Sequence, residues 1–234
     1  MVIAPDAMAK AALFPVLATQ GLMARAQAGS LPEPPGPRSG VDGSGPPLSL
    51  ILVGDSSAAG VGASHQSEAL GGQLAAALSQ DYRLTWRLEA RTGFTTADML
   101  NHLQAVPGGD YDVAVVALGV NDVTTPTVTL ARLIRQRRQL HSLLRQKFGA
   151  ERVLISGMPP VGRFPLLPNP LRWVLGQQAA RFDQALMKAA HADGVEYYPF
   201  TVPFDPEKMA RDGFHPAPSA YHLWANMLAR HIRT

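Results

Sequence analysis

The 234-residue chain contains no cysteine. Disulfides, thiolate catalysis and cysteine-based zinc sites are therefore excluded, while the redox compartment stays open. Charge is scarce as well. Only 17% of residues are Asp, Glu, Lys or Arg, and the formal net charge is +3. That small basic excess permits an acidic partner without arguing for one. No stretch approaches the roughly 18 apolar residues that a membrane-spanning helix needs, and no segment repeats. His191, His222 and His231 have no further ligand at metal spacing, so no metal site is expected. What is present, 46% apolar residues with 21 Gly and 20 Pro, is ordinary for a globular protein. The length suits one substantial core and is short for two.

The N-terminal 47 residues read as a helix and a connection outside the main domain, which spans 48–234. Lys10, the run Ala11–Ala18 and the stretch Ala24-Arg25-Ala26-Gln27-Ala28 have the outline of a secretory signal. Asp6 lowers the charge of that outline, and Pro15 and Gln20 interrupt its apolar core. A helix packed on the main domain is the preferred reading, and with it a cytoplasmic location. A periplasmic or secreted product follows instead if residues 1–28 are cleaved. Residues 29–47 (GSLPEPPGPRSGVDGSGPP) are too rich in Pro and Gly to sustain helix or strand, and read as an irregular connection.

From Leu48 onward apolar runs alternate with helical patterns. Strands are expected at Leu48–Val53, Leu84–Glu89, Val113–Leu118, Val153–Ser156 and Val195–Tyr198. Helices are expected at Gln66–Gln80, from a Thr95 or Thr96 cap to about Leu103, and at Val128–Phe148, Leu171–Ala192 and Ser219–His231. This alternation gives an α/β fold: a three-layer α/β/α sandwich on a mostly parallel, doubly wound, flavodoxin-like sheet of five strands.

Four places that could carry chemistry lie in loops or just past strand ends: Gly54-Asp55-Ser56, Gly93, Gly119-Val120-Asn121-Asp122 and Asp212-Gly213-Phe214-His215. Ligands of such sheets bind at the carboxyl ends of the strands. A hydroxyl there, with an imidazole, a carboxylate and convergent N–H donors, is what acyl transfer requires.

Taken in this order, GDS, Gly93, GVND and DGFH resemble the blocks of the SGNH hydrolases, or GDSL-type esterases and lipases, from about residue 48 to the C-terminus. The resemblance implies Ser56 as nucleophile, His215 as general base and Asp212 as its orienting acid. It also implies an oxyanion hole from the Ser56 and Gly93 amides and the Asn121 side chain. Ser57 departs from the leucine of the family's name motif. Asp55 and Asp122 read as structural.

The resulting expectation is a serine esterase that passes through an acyl-enzyme, without cofactor, on short-chain acyl or aryl esters. The apolar loop 158–170 is expected to wall its pocket. A carbohydrate O-deacetylase and a lysophospholipase or thioesterase are alternatives on the same three residues. A phosphate-binding module and a silent interaction protein are alternatives from other classes. The partner is a small-molecule ester, with no nucleic acid and no stable membrane insertion; no feature sets an oligomeric state. Three further readings are bland ones. His65 is a solvated loop histidine, and Asp98 and His102 are an exposed i,i+4 pair. Arg132, Arg135, Arg137, Arg138, Arg145 and Lys147 form the solvated face of a helix.

Overall fold

Runs without polar residues become the middle of the sheet, as burial on both faces requires. The computed structural model describes residues 12–28, 31–202 and 205–234. Helix α1 (Phe14–Ala28) precedes strands β1 (Ser39–Asp42) and β2 (Pro47–Gly54). Next come α2 (Ser56–Ala59), α3 (Leu70–Leu78), β3 (Arg83–Ala90), α4 (Thr96–Ala105) and β4 (Val113–Ala117). The chain continues through α5 (Val120–Thr124), α6 (Leu130–Phe148), β5 (Arg152–Ser156), α7 (Leu171–Ala192), β6 (Glu196–Tyr198) and α8 (Pro218–Ile232).

The sheet order is β1-β3-β2-β4-β5-β6. Strands β2 to β6 are parallel, and β1 runs antiparallel to β3. The parallel strands alone have the flavodoxin-like order, whose direction of winding reverses between β2 and β4. Alternate β2 side chains serve opposite faces. Leu50 and Leu52 pack with Leu70, Leu74, Trp224 and Leu228 of α3 and α8. Ile51 and Val53 pack with Met99, Leu103, Leu140 and Leu144 of α4 and α6. Three layers result.

Two local expectations are corrected. The sheet has six strands, because the Pro/Gly-rich connection contains β1. Its four residues follow the last proline before Ser39 and need only one partner, so edge pairing with β3 tolerates their polar sequence. The helix expected over Gln66–Gln80 is a 3₁₀ turn, Gln66–Glu68, followed by α3. Gly72 packs so closely on this turn that a Cβ there would lie 2.2 Å from the Gln66 carbonyl oxygen.

Helix α1 lies against the loop before α7. Leu17 and Ala24 join a cluster with Leu171 and Val174. The Gln20 amide donates to the Asn169 carbonyl at 2.9 Å and accepts from the Leu171 N–H at 3.2 Å. Asp6, Lys10 and Ala11 of the signal-like outline lie outside the described residues. Among those described, no helix is long and apolar enough to cross a membrane.

At the end of β2, Gly54 has no room for a side chain. A Cβ there would sit 2.3 Å from both the Ala117 carbonyl oxygen and the Ala58 Cβ. Gly54→Ala is therefore expected to destabilise the fold by about 1–3 kcal/mol, read as a lower urea midpoint. An unchanged midpoint would mean that this strand end has slack.

Candidate active site

Ser56 is the first residue of α2, one residue beyond the end of β2. Asp55 caps this short helix, accepting from the Ser57 N–H at 3.1 Å through one carboxylate oxygen. The other oxygen accepts from Gly119 N–H at 3.3 Å. One buried carboxylate thus joins the Ser56 turn to the loop after β4. Burial is the dominant influence on Asp55 and raises its pKa from 3.8 to about 6, against the opposing hydrogen bonds from Ser57 and Gly119.

The Asp212–His215 turn closes over Ser56 from the other end of the chain. His215 Nε2 lies 2.9 Å from Ser56 Oγ, and Nδ1 lies 2.6 Å from Asp212 Oδ2. Asp212 Oδ1 accepts the backbone N–H groups of Phe214 and His215, both at 3.0 Å. Burial works against the Asp212 charge, but the bonds from the His215 ring and these amides outweigh it and hold its pKa below the usual carboxylate value. All three side chains are buried, at 7% exposure for Ser56, 4% for Asp212 and 3% for His215. This arrangement allows proton transfer from the hydroxyl to an imidazole whose tautomer a carboxylate holds.

The Gly93 and Asn121 positions are joined through Phe94. Asn121 Nδ2 donates to the Phe94 carbonyl at 3.0 Å, which leaves its second N–H for another acceptor. Gly93 sits on an exposed turn at φ +83°, outside the cavity wall, and its N–H makes no hydrogen bond among the described residues. The Ser56 N–H opens a helix, where the first amides have no intrahelical acceptor. Asp122 holds the far side of the same loop, accepting from Thr96 N–H at 3.1 Å and from Thr96 Oγ1 at 2.8 Å.

Beside Ser56 lies a cavity of about 70 Å³. Its walls are mostly apolar: Leu118, Phe200, Val202, Phe214 and Trp224 face Met158, Pro159, Pro160 and Phe164 of the loop 158–170. Phe164 and Phe214 meet edge to face, with ring centroids 5.2 Å apart. The polar groups of Trp224 and Ser156 satisfy each other at 2.9 Å. Lys208, also in the wall, is paired with Asp205 at 2.7 Å, so it offers no isolated charge to a ligand.

Several expected surface groups are placed differently. Arg137 is 1% exposed rather than on a solvated face; it donates to the Leu118 carbonyl and lies 3.9 Å from Asp122. Asp98 and His102 do not pair with each other. Asp98 closes a capping box with Thr95, and His102 Nε2 lies 2.6 Å from Glu89. His65, by contrast, is exposed as expected and contacts Ser67 at 3.0 Å. No group of His, Asp and Glu among the described residues could hold a metal ion. Sequence reasoning also missed Phe200 and Trp224 as pocket walls, since aromatics near a strand end and in a helix look like ordinary core.

The GDSL-like lipase/acylhydrolase family model matches residues 52–223. A GDSL-like esterase of Mycobacterium tuberculosis is 29% identical over 201 residues, covering 79% of this chain. The chain spans 61% of that protein's length. Among solved structures, TesA is 23% identical with a TM-score of 0.63, covering 79% of this chain and 98% of its own. The lipase/acylhydrolase from Enterococcus faecalis is 18% identical with a TM-score of 0.61, covering 80% and 95%. An acetylxylan esterase from Geobacillus stearothermophilus, Axe2, is 15% identical with a TM-score of 0.60, covering 81% and 96%. These three likenesses are of fold.

The buried Asp55 carboxyl makes stability depend on pH. Its folded pKa lies above its unfolded value, so its favourable contribution is complete below about pH 4 and is lost as pH rises through about 6. Urea unfolding should show wild type losing up to about 3 kcal/mol relative to Asp55→Asn between about pH 4 and pH 7. A difference independent of pH would contradict this.

Proposed function

The chain belongs to the GDSL-like lipase/acylhydrolase family, and from that premise we propose that it is a serine esterase working through an acyl-enzyme. The observation that carries this reading is the continuous contact from Ser56 Oγ through the His215 ring to Asp212, at 2.9 and 2.6 Å. In the proposed mechanism Ser56 Oγ attacks the ester carbonyl while His215 Nε2 takes its proton. Asp212 fixes the Nδ1–H tautomer and stabilises the imidazolium. The tetrahedral oxyanion is held by the N–H groups of Ser56 and Gly93 and by the free N–H of Asn121. The C–O bond to the alcohol then breaks, and His215 returns the proton to the departing oxygen. Water, deprotonated by the same imidazole, attacks the acyl-enzyme and releases the acid with Ser56 restored.

The cavity's Phe, Trp and Met lining favours a short acyl or aryl ester over an acetylated sugar, whose hydroxyls need polar partners. The one cation in that wall is already neutralised, so an anionic group is not specifically accommodated there.

Ser56→Ala should abolish hydrolysis of p-nitrophenyl acetate and labelling by a fluorophosphonate; residual wild-type activity in that variant would rule the mechanism out. Asn121→Ala should lower kcat by about 10²–10³-fold, with a smaller change in KM. On substrate class, kcat/KM over a series of nitrophenyl esters should be highest for short acyl chains and exceed that for acetylated xylose. A marked preference for the sugar acetate would reverse the assignment.

A further inference from the structure

The proline-rich segment before β1 is joined to both sides of the proposed reaction centre. Its Glu33 carboxylate accepts two bonds from Thr92, the residue before Gly93: the backbone N–H at 2.7 Å and the hydroxyl at 2.9 Å, both on Oε1. Oε2 accepts from Arg38 Nη1 at 2.9 Å. Arg38 Nη2 in turn donates to the carbonyl of Ala90, the last residue of β3. One ion pair therefore grips the turn at its beginning and immediately ahead of Gly93.

The grip has a fixed base. The Arg38 carbonyl accepts the Leu88 N–H at 2.7 Å, and the chain then enters β1, paired along β3. Pro34 and Pro35 offer their carbonyls to the side chain and N–H of the buried Gln66, at 3.2 and 2.8 Å. Gln66 also donates to Ala59, at the end of α2, at 2.9 Å. The helix that starts with Ser56 and the turn that carries Gly93 are thus referenced to one short segment.

We infer that Glu33, braced by Arg38, is a positioning residue that holds the Gly93 N–H in line with the Ser56 N–H for the oxyanion. Gly93 itself has no such support of its own: among the described residues nothing lies within 4 Å of its Cβ direction and its N–H has no acceptor, and the turn's own bond, Phe94 N–H to the Arg91 carbonyl, is long at 3.3 Å. Glycine turns are otherwise free to change φ. The carboxylate stays ionised despite partial burial, because the Thr92 bonds and the Arg38 charge outweigh desolvation. With side chains about one-third exposed, the Glu33–Arg38 pair itself adds little to stability. Its geometry on the turn is what distinguishes it. The inference rests on the esterase reading, since it assigns a role to a donor of that reading.

The test compares Glu33→Ala with Glu33→Gln, which keeps an acceptor for Thr92. Glu33→Ala should lower kcat for p-nitrophenyl acetate about tenfold, less than the outright loss of a donor, with KM within about twofold. Inhibition by an uncharged trifluoromethyl ketone, which forms a tetrahedral adduct on an active serine, should weaken in the same proportion. Glu33→Gln should stay within about threefold of wild type on both readouts. A purely structural role would lower the melting temperature without moving kcat and ketone potency together. Arg138→Ala, which breaks the remote pair with Asp193, should leave both unchanged. If Glu33→Ala does not fold, Thr92→Val replaces it, and kcat should fall a few-fold. Wild-type kcat and ketone potency in the folded variant overturn the inference alone. A wild-type protein that neither hydrolyses the ester nor is labelled at Ser56 overturns the esterase reading, and the inference with it.

Discussion

A buried carboxylate shared between two central strand ends is the interaction on which the site depends. Gly54 and Ala117 pair in parallel register, so the segments that follow them leave the sheet side by side. Asp55 then accepts from Ser57 on one segment and from Gly119 on the other. A buried charge is costly unless hydrogen bonds and opposite charges compensate it. Arg137 supplies the nearby cation, and Asp122 and Asp55 both favour its charged form against the burial that opposes it. The separation between Ser56 and Asn121 therefore follows from the parallel pairing of the two strand ends and the Asp55 bonds that join the segments after them, even though burial outweighs those bonds in setting the Asp55 pKa.

The imidazole is positioned by equally local means. Asp212 uses one oxygen to accept two backbone amides of its own turn and the other to meet the ring. Gly213, at φ +64°, allows the chain to reverse between them. The following helix is pinned to the segment after Ser56 by Tyr221, whose buried hydroxyl donates to the Val61 carbonyl at 2.7 Å. One residue thus shapes the turn and orients the ring, and the next element carries both to the strand ends. Phe214, between the two polar residues, faces the cavity.

Much of this was legible from residue order. Val113–Ala117 is buried at every position, so its apolar run announces a central strand. GDS, GVND and DGFH are short, local and chemically distinctive. What escaped notice depends on partners distant in the chain. The sequence around β1 has only Val41 as an apolar residue, and its ladder is half of an edge pairing. Arg137 lies on the same helix as five other basic residues; the Leu118 carbonyl, Asp122 and Asp55, supplied by other segments, distinguish its position from theirs. Glu33 sits among prolines and looks like a solvated charge until Thr92, 59 positions later, is brought beside it. Local periodicity carries no trace of such long-range bonds.

The two outer borders of the sheet have a shared consequence for how the molecule meets its neighbours. An unpaired strand edge is a row of exposed amides and carbonyls on which another polypeptide can extend the ladder. Here one border is a four-residue strand whose terminal Asp42 carboxylate is engaged by the Trp86 indole at 2.8 Å. The other is only three residues long. Each offers an invading segment a very short template, so intermolecular sheet growth gains few hydrogen bonds at either side. The short strands at both borders thus limit what ladder extension by a neighbouring molecule can gain.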